Sequence, residues 1–277
     1  MIETRHRANR FCSLYGITVP VLNAPMPGIV TPKLVACVSE MGGIGVIPGD
    51  YLDAASLSRE IDRVMALTRK PFAVNLRVPL LEKGDGRADL VRESVSELKK
   101  ELGCDVEFTL PDFDEQFDVV CEKCVPFVTV SFGGLREIYI ERLKDLGIKT
   151  FGTATTLLEA KIQASSRADA VVVQGAEAGG PRLNFERRDK DSLVGLMNLI
   201  GPAARATALP IIAAGGIMTG AQMAASLMAG ASAVELGTFF LKASECTTHP
   251  LIKAKLEFTY DAQTQLTRLF NGRLTRV

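Results

Sequence analysis

Three features of the 277-residue sequence predict an α/β protein folded as a single (β/α)8 barrel, with an insertion between strands three and four. Short apolar, β-branched runs recur along the chain, and each run is continuous rather than alternating, which is typical of strands covered by helices. Amphipathic stretches of helical length separate the runs. The chain also has about the length of one such barrel, roughly 250 residues.

The predicted strands come in a count of eight, which favours a closed barrel. Each is four or so residues long. They cover residues 19–22, 44–47, 72–76, 127–130, 149–153, 170–173, 211–213 and 233–236. An open doubly wound sheet is the alternative, because the alternation of strands and helices does not itself decide closure.

The helices are predicted from amphipathic spacing and from the glycines that follow four of them. A glycine just after a helix supplies the left-handed residue that a C-terminal cap requires, and Gly42, Gly103, Gly147 and Gly230 stand at such places. The predicted helices are 32–41, 54–67, 87–102, 135–146, 156–167, 193–208 and 220–229.

The segment 77–126 interrupts this rhythm, because it separates two strands by nearly twice the usual spacing. Its first part, LLEKGDGRAD, is charged and predicts an exposed stretch. Its second part, residues 105–120, predicts a strand or a loop. The segment is interpreted either as a solvated insertion or as a lid over the barrel mouth.

Composition excludes several classes of function. Lys and Arg number 32 and so do Asp and Glu, so no net field attracts nucleic acid or an anionic membrane. The chain has no Trp and lacks any apolar run long enough to span a bilayer. We expect a cytoplasmic protein with reduced thiols, a small-molecule substrate, and no nucleic-acid or membrane partner. The sequence is compatible with a homodimer.

Cysteine and histidine do not indicate a metal site. Cys121 and Cys124 form a CxxC pair without a second pair or a nearby His, so we expect thiols that are structural or incidental. The two histidines, His6 and His249, lie away from the predicted strand exits. This argues against a metal-dependent or Ser-His-Asp hydrolase.

The residues at strand exits are the candidates for a site, because the active sites of these barrels lie at the carboxyl ends of the strands. Polar Asn75 lies near the end of the third strand, and Gln174 ends the sixth, before Gly179 and Gly180. An amide side chain offers both a donor and an acceptor to a heterocycle edge. Asn75 is equally well explained by bonds to neighbouring backbone. The first strand leads into Ala24, Pro25 and Met26, where Met suits a flat apolar ring or simple packing.

The exits of the last two strands predict an anion site. Gly215 and Gly216 follow the seventh strand, and the eighth runs through Glu235 and Leu236 into Gly237 and Thr238. Bare amide groups, a helix N-terminus and a hydroxyl on adjacent strands are what a barrel phosphate site uses.

These motifs together resemble the nitronate monooxygenase family and its relatives, the flavin-dependent enoyl-ACP reductases and NADH:quinone reductases. The matching stretches are PVLNAPMPGIV, MGGIGVI, FAVNL, VVVQGAEAGG, LPIIAAGGI, ELGTFFL and ECTTHPLIKAKL. The resemblance implies a barrel that holds one FMN. It implies ring contacts at Ala24, Pro25, Met26, Asn75, Gln174, Gly179 and Gly180, and phosphate contacts at Gly215, Gly216, Glu235, Leu236, Gly237 and Thr238.

Two residues depart from the family pattern. Glu235 stands where Gln is common, and we expect its side chain to point away from the phosphate because like charges repel. Pro181 stands where the family motif EAGGH has its histidine. Proline cannot titrate, so removal of a proton from a neutral nitroalkane loses its obvious base, and no catalytic residue is assigned.

The leading functional hypothesis is an FMN-dependent monooxygenase that oxidises alkyl nitronates with oxygen, since an anionic nitronate requires no base. The second is reduction of a quinone or an enoyl thioester, with NAD(P)H as co-substrate. The third, prompted by Pro181, is a flavin-binding protein with little turnover. The fourth is a barrel that binds a phosphorylated metabolite without flavin.

Overall fold

The computed structural model describes residues 2–79, 110–186, 192–269 and 273–277. Eight parallel strands form the central sheet: β1 (Val21–Asn23), β2 (Gly45–Pro48), β3 (Phe72–Arg77), β4 (Phe127–Ser131), β5 (Lys149–Ala154), β6 (Ala170–Gln174), β8 (Ile211–Ala214) and β9 (Ala233–Leu236). They pair in the order β1-β9-β8-β6-β5-β4-β3-β2. A parallel bridge between Leu22 and Ile44 joins the two ends of this order, so the predicted barrel is confirmed.

Six of the helices match predicted ones to within three residues at each end. Asp53 caps one helix by accepting a bond from the Ser56 amide at 2.6 Å. Gly147 and Gly230 follow two others with φ of +72° and +126°. The helices are α1 (Ile2–Tyr15), α2 (Pro32–Glu40), α3 (Ala54–Leu67), α4 (Phe113–Glu122), α5 (Glu137–Asp145), α6 (Leu157–Ser165), α7 (Leu196–Thr207), α8 (Gly220–Ala229) and α9 (Pro250–Phe258). The six that match are α2, α3, α5, α6, α7 and α8.

Helix α1 was not among the predicted helices, and it closes the amino-terminal end of the barrel. Phe11 and Tyr15 are buried with the lumen residues Phe127 and Phe151. The Tyr15 ring lies 5.0 Å from the Phe151 ring, and its hydroxyl donates to the Asp169 carbonyl at 3.0 Å. Charged residues dominate the rest of this helix, so its amphipathic signal is weak and was missed.

The segment 77–126 differs in part from the prediction. Residues 113–122 form helix α4 rather than a strand or a loop, so that expectation is wrong there. Asp112 caps the helix through a 3.0 Å bond from the Glu115 amide, and Phe117 packs in the core. Residues 80–109, which include the predicted helix 87–102, Gly103 and most of the proposed lid, lie outside the described residues.

A small antiparallel sheet stands beside the barrel mouth. Strand β7 (Gly180–Pro181) pairs with β11 (Thr275–Arg276), and β11 pairs with β10 (Leu266–Thr267). The carboxyl-terminal residues therefore contact the loop that follows β6. Among the helices of the described ranges, none combines the length and the apolar character needed to cross a bilayer.

Candidate functional site

The upper lumen of the barrel is lined by polar side chains, while the lower lumen is apolar. Side chains alternate along a strand, so Asn75 shares a face with Ala73, which packs in the lumen cluster. Asn75 Nδ2 donates to Thr129 Oγ1 at 2.9 Å, and Ser131 Oγ lies 3.5 Å from Asn75 Oδ1. The carboxyl end of the lumen is therefore the polar end, where a ligand finds donors and acceptors.

Gln174 lies in the same layer, but its amide is held by the chain itself. Its Nε2 donates to the Pro181 carbonyl at 3.2 Å, and its Oε1 accepts from the Leu183 amide at 3.0 Å. Arg182 also donates to this oxygen, at 3.2 Å. In this structure Gln174 therefore holds the loop after β6, and its proposed contact with a cofactor stays a prediction.

Arg182 is the central residue of that loop, and sequence reasoning assigned it no role. Its side chain is buried and donates to the carbonyl oxygens of Gly175 at 2.7 Å and Thr155 at 3.3 Å, and also to that of Ser192. Burial lowers the pKa of the guanidinium to about 10, and the nearby Glu159 and Glu177 carboxylates oppose that shift. The planar guanidinium thus joins three chain segments, at Thr155 after β5, Gly175 after β6 and Ser192.

Glu177 supports the loop from its other side. Its carboxylate accepts from the Leu196 amide at 2.9 Å and so caps the N-terminus of α7. A Cβ added to Gly216 would lie 3.0 Å from Glu177 Cβ, and one added to Gly215 would lie 3.0 Å from the Ala178 nitrogen. The glycine pair therefore approaches the loop more closely than most residues could.

The exits of β8 and β9 provide a row of amide groups. Gly215 and Gly216 have φ of +123° and +67°, which turns the chain away from the sheet. Across the described ranges, the amides of Gly215, Gly216, Gly237 and Thr238 donate to no backbone or side-chain acceptor. Such amides on adjacent strands suit an oxyanion.

The amides just before helix α8 are engaged by its capping box. Thr219 and Gln222 form this box at the start of α8, and the Gln222 side chain accepts from the Met218 and Thr219 amides at 2.8 and 3.1 Å. The first amides of the helix itself, at Gly220 and Ala221, donate to no acceptor among the described residues. The contribution of this helix N-terminus to an anion site stays a prediction.

The first-strand exit lies directly against this row. The Ala24 amide donates to the Leu236 carbonyl at 2.8 Å. A Cβ on Gly237 would lie 3.5 Å from Ala24 Cβ and 3.8 Å from Met26 Sδ. The structure therefore brings Ala24, Met26 and Gly237 together, as well as Gly179 and Thr238, where a Cβ on Gly179 would lie 3.5 Å from the Thr238 hydroxyl.

Gly180 and Pro181 form the short strand β7, which pairs with β11. They face Arg276 and Thr275 of β11, and the Arg182 amide donates to the Leu274 carbonyl at 2.8 Å. Arg276 Nε also donates to the Ala176 carbonyl at 3.2 Å. The Pro181 side chain has no proton acceptor. His249, one of the two histidines of the sequence, caps helix α9 by accepting from the Leu251 amide at 3.2 Å.

Glu235 is a carboxyl group on the lumen face. Its strand neighbours Val234 and Leu236 pack with the outer helices, whereas Ala233 packs in the lumen, so Glu235 points into the lumen and not toward the helices. Its side chain is partly exposed there. Burial raises the pKa of this carboxyl to about 8.

A second perturbed carboxyl lies at the mouth, after β2. Burial raises the pKa of Asp50 to about 6, and the nearby Arg77 guanidinium partly offsets the shift. Arg77 lies over the Phe132 ring at 4.6 Å, and Arg273 lies over the same ring at 4.1 Å. Sequence reasoning missed this cluster, because its four members come from four segments that are distant in the chain.

Comparison with known proteins agrees with this architecture. The family described as nitronate monooxygenase matches residues 9–277. A probable nitronate monooxygenase of Staphylococcus aureus strain JH9 is 34% identical over 274 residues, which is 97% of this chain and 77% of the relative.

Solved structures point the same way. Nitroalkane oxidase from Streptomyces ansochromogenes superposes with a TM-score of 0.85 at 35% identity, covering 94% of this chain and 76% of that one. FabK from Thermotoga maritima superposes with a TM-score of 0.75 at 29% identity, covering 97% of this chain and 73% of that one.

The barrel, its polar upper lumen and these relatives define the protein as an oxidoreductase enzyme. Its chain belongs to the nitronate monooxygenase family, whose members are flavoproteins. The residues present fit a phosphate-bearing flavin, because the amides of three glycines and of Thr238 have no acceptor among the described residues, and the glycines leave space where Cβ atoms would otherwise stand.

Proposed function

We propose that this protein is an FMN-dependent nitronate monooxygenase, which oxidises alkyl nitronates with oxygen. The observation that carries the proposal is the row of amides at Gly215, Gly216, Gly237 and Thr238 in a chain of this family. That row suits one phosphate, and the sequence has no second glycine-rich fingerprint for the adenylate half of FAD.

The roles of the individual residues follow from their places. The loop amides would hold the phosphate, and Ala24, Pro25 and Met26 would contact the ring, since Ala24 and Met26 lie beside Gly237. Asn75 would offer its amide to a polar edge of the ring, and Gln174 and Gly179 would border the ring from the loop after β6. The flavin, when bound, supplies the electron transfer to oxygen.

Pro181 decides which form of the substrate is accepted. A neutral nitroalkane must lose a carbon-bound proton before oxidation, and the loop after β6 offers no base at this position. A nitronate has already lost that proton. The proposal therefore names the anionic nitronate as substrate and the neutral nitroalkane as a poor one.

A second function is favoured by the likeness to FabK, which covers 97% of this chain. In this alternative the protein oxidises NAD(P)H and passes the electrons through the flavin to a quinone or an enoyl thioester. Such a reaction also does not require a histidine at position 181 if solvent provides the proton.

The test begins with the absorbance spectrum of the purified protein, followed by release and mass determination of the cofactor. We expect flavin bands and the mass of FMN. FAD would contradict the FMN assignment, and a colourless protein that takes up no added flavin would reject both enzyme functions. Oxygen uptake with a preformed alkyl nitronate, compared with NAD(P)H oxidation in the presence of a quinone or an enoyl thioester, then separates the two.

A further inference from the structure

Glu235 lies between two apolar neighbours in the lumen wall. Its register partners are Leu22 on β1 and Ala214 on β8, and both pack in the lumen cluster. Across residues 2–79, 110–186, 192–269 and 273–277, no hydrogen bond or ion pair reaches its carboxyl group. A carboxylate between apolar neighbours, with no donor or cation beside it, is disfavoured relative to the neutral acid.

The elements packed against Glu235 carry no charge that would hold it ionised. Strands β1 and β8 and helix α8 contain no titratable side chain. In the short helix after β9 the only ionised side chain is Lys242, which pairs with Glu257. Burial alone therefore sets the state of the group and raises its pKa to about 8.

The same strand ends in the proposed phosphate ligands. Gly237 and Thr238 follow Glu235 by two and three residues, and Gly215 follows its register partner Ala214. A phosphate dianion held by these amides would be bound two and three residues beyond Glu235 on the same chain segment. Two like charges this close would repel each other.

We propose that Glu235 belongs to the cofactor site as a neutral carboxylic acid, and that the flavin phosphate binds only when this acid is protonated. The inference rests on the proposed FMN site. A neutral acid offers one O–H donor toward the phosphate or the flavin side chain, whereas the carboxylate offers only acceptors. Cofactor binding above neutral pH then takes up a proton.

The size of the effect follows from the competent fraction of the protein. If only the protonated form binds, the apparent dissociation constant equals the intrinsic one divided by the protonated fraction. Between pH 7 and pH 9 that fraction falls about ten-fold for a group that titrates near 8. The FMN phosphate itself titrates near pH 6, so it remains a dianion across most of this range.

The experiment measures the dissociation constant of FMN for the apoprotein from pH 7 to pH 9 by quenching of flavin fluorescence. We expect about a ten-fold rise for the unaltered protein and less than a two-fold change for Glu235→Gln, which keeps the shape of the group but cannot ionise. Riboflavin, which lacks the phosphate, should show a much smaller rise. An equal rise for riboflavin would contradict the role given to the phosphate.

Asp50→Asn is the matched control. Asp50 is another half-buried carboxyl near the mouth, but its pKa of about 6 leaves it mostly ionised throughout the measured range. Its variant should follow the profile of the unaltered protein. If the rise disappears in Asp50→Asn and persists in Glu235→Gln, the inference is overturned.

A calorimetric measurement on the unaltered protein needs no variant and so tolerates any folding defect. FMN binding at pH 8.5, repeated in buffers of different ionisation enthalpy, should take up most of one proton. No proton uptake, or an affinity that is flat from pH 7 to pH 9, overturns the inference and leaves the FMN assignment intact. Failure to bind FMN at every pH rejects the FMN assignment, and the inference with it.

Discussion

The side-chain amide of Asn23 pairs with the backbone of Val46 and so closes the barrel. Asn23 Oδ1 accepts from the Val46 amide at 2.9 Å, and its Nδ2 donates to the Val46 carbonyl at 3.0 Å. Here one side chain replaces the peptide group of a neighbouring strand. The seam between β1 and β2 is otherwise bridged only at Leu22 and Ile44 among the described residues.

Asn23→Ala should therefore lower the free energy of unfolding by about 2–4 kcal/mol, because it leaves a buried N–H and a buried C=O without partners. Urea unfolding followed by circular dichroism measures the change. Asn198→Ala, at an exposed position of α7, is the control and should stay within about 0.5 kcal/mol. Equal stability of the two variants would show that water replaces the Asn23 amide.

Gly216→Asp should abolish flavin retention. Gly216 has a φ of +67°, an added Cβ meets Glu177 Cβ at 3.0 Å, and the carboxylate would face the bound phosphate. The flavin-to-protein absorbance ratio after gel filtration reports the loss. Gly220→Ala, where an added Cβ meets nothing within 4 Å, should keep its flavin. A folded Gly216→Asp protein with full flavin content would place the phosphate elsewhere.

Arg182→Lys should lower the free energy of unfolding by about 2–4 kcal/mol although the charge is kept. A single ammonium group cannot reach the carbonyls of Gly175, Thr155 and Ser192 together, so buried acceptors lose their donors. Arg142→Lys is the control, because Arg142 pairs with Asp118 at the surface and should change little. Similar stability losses in both variants would contradict the central role of Arg182.

Glu235 predicts an alkaline loss of stability in the apoprotein. Its pKa is raised from 4.5 to about 8, so between these values the folded state binds more protons than the unfolded state. The free energy of unfolding therefore falls as the pH rises through this window, by on the order of a few kcal/mol. Glu235→Gln cannot titrate and should not show this fall in the free energy of unfolding.

Denaturant titrations at pH 5 and pH 9 measure that difference. The advantage of Glu235→Gln over the unaltered apoprotein should be larger at pH 9. Parallel pH profiles would mean that Glu235 titrates normally.

Pro181 predicts discrimination between two forms of one substrate. The protein should oxidise a preformed alkyl nitronate roughly 10²–10⁴-fold faster than the parent neutral nitroalkane, because general-base catalysis contributes about that factor. Initial rates of oxygen uptake measure the ratio, with free flavin as the control. Comparable rates for both forms would reveal a base outside position 181.

The barrel was predictable because its strand signal is local. Runs such as 170–173 and 211–213 are continuous and apolar, and the structure places β6 and β8 over them. The glycines after α5 and α8 likewise predict the ends of these helices to within a few residues. The prediction of a strand or a loop over residues 105–120 was wrong from residue 113, where helix α4 begins. The N-terminal cap at Asp112 was not recognised in the sequence.

The candidate site was likewise predictable only where its signal is local. Sequence alone determined which strand exits carry glycines and polar residues. It singled out Gly215, Gly216, Gly237 and Thr238, because a residue that exposes its backbone amide can be recognised from its own identity and its place after a strand. Only the tertiary structure decided that Arg182 holds Gln174, that β11 covers Pro181, and that Glu235 faces the lumen between Leu22 and Ala214. These relationships join residues far apart in the chain, and the burial that shifts a pKa exists only once the barrel has closed.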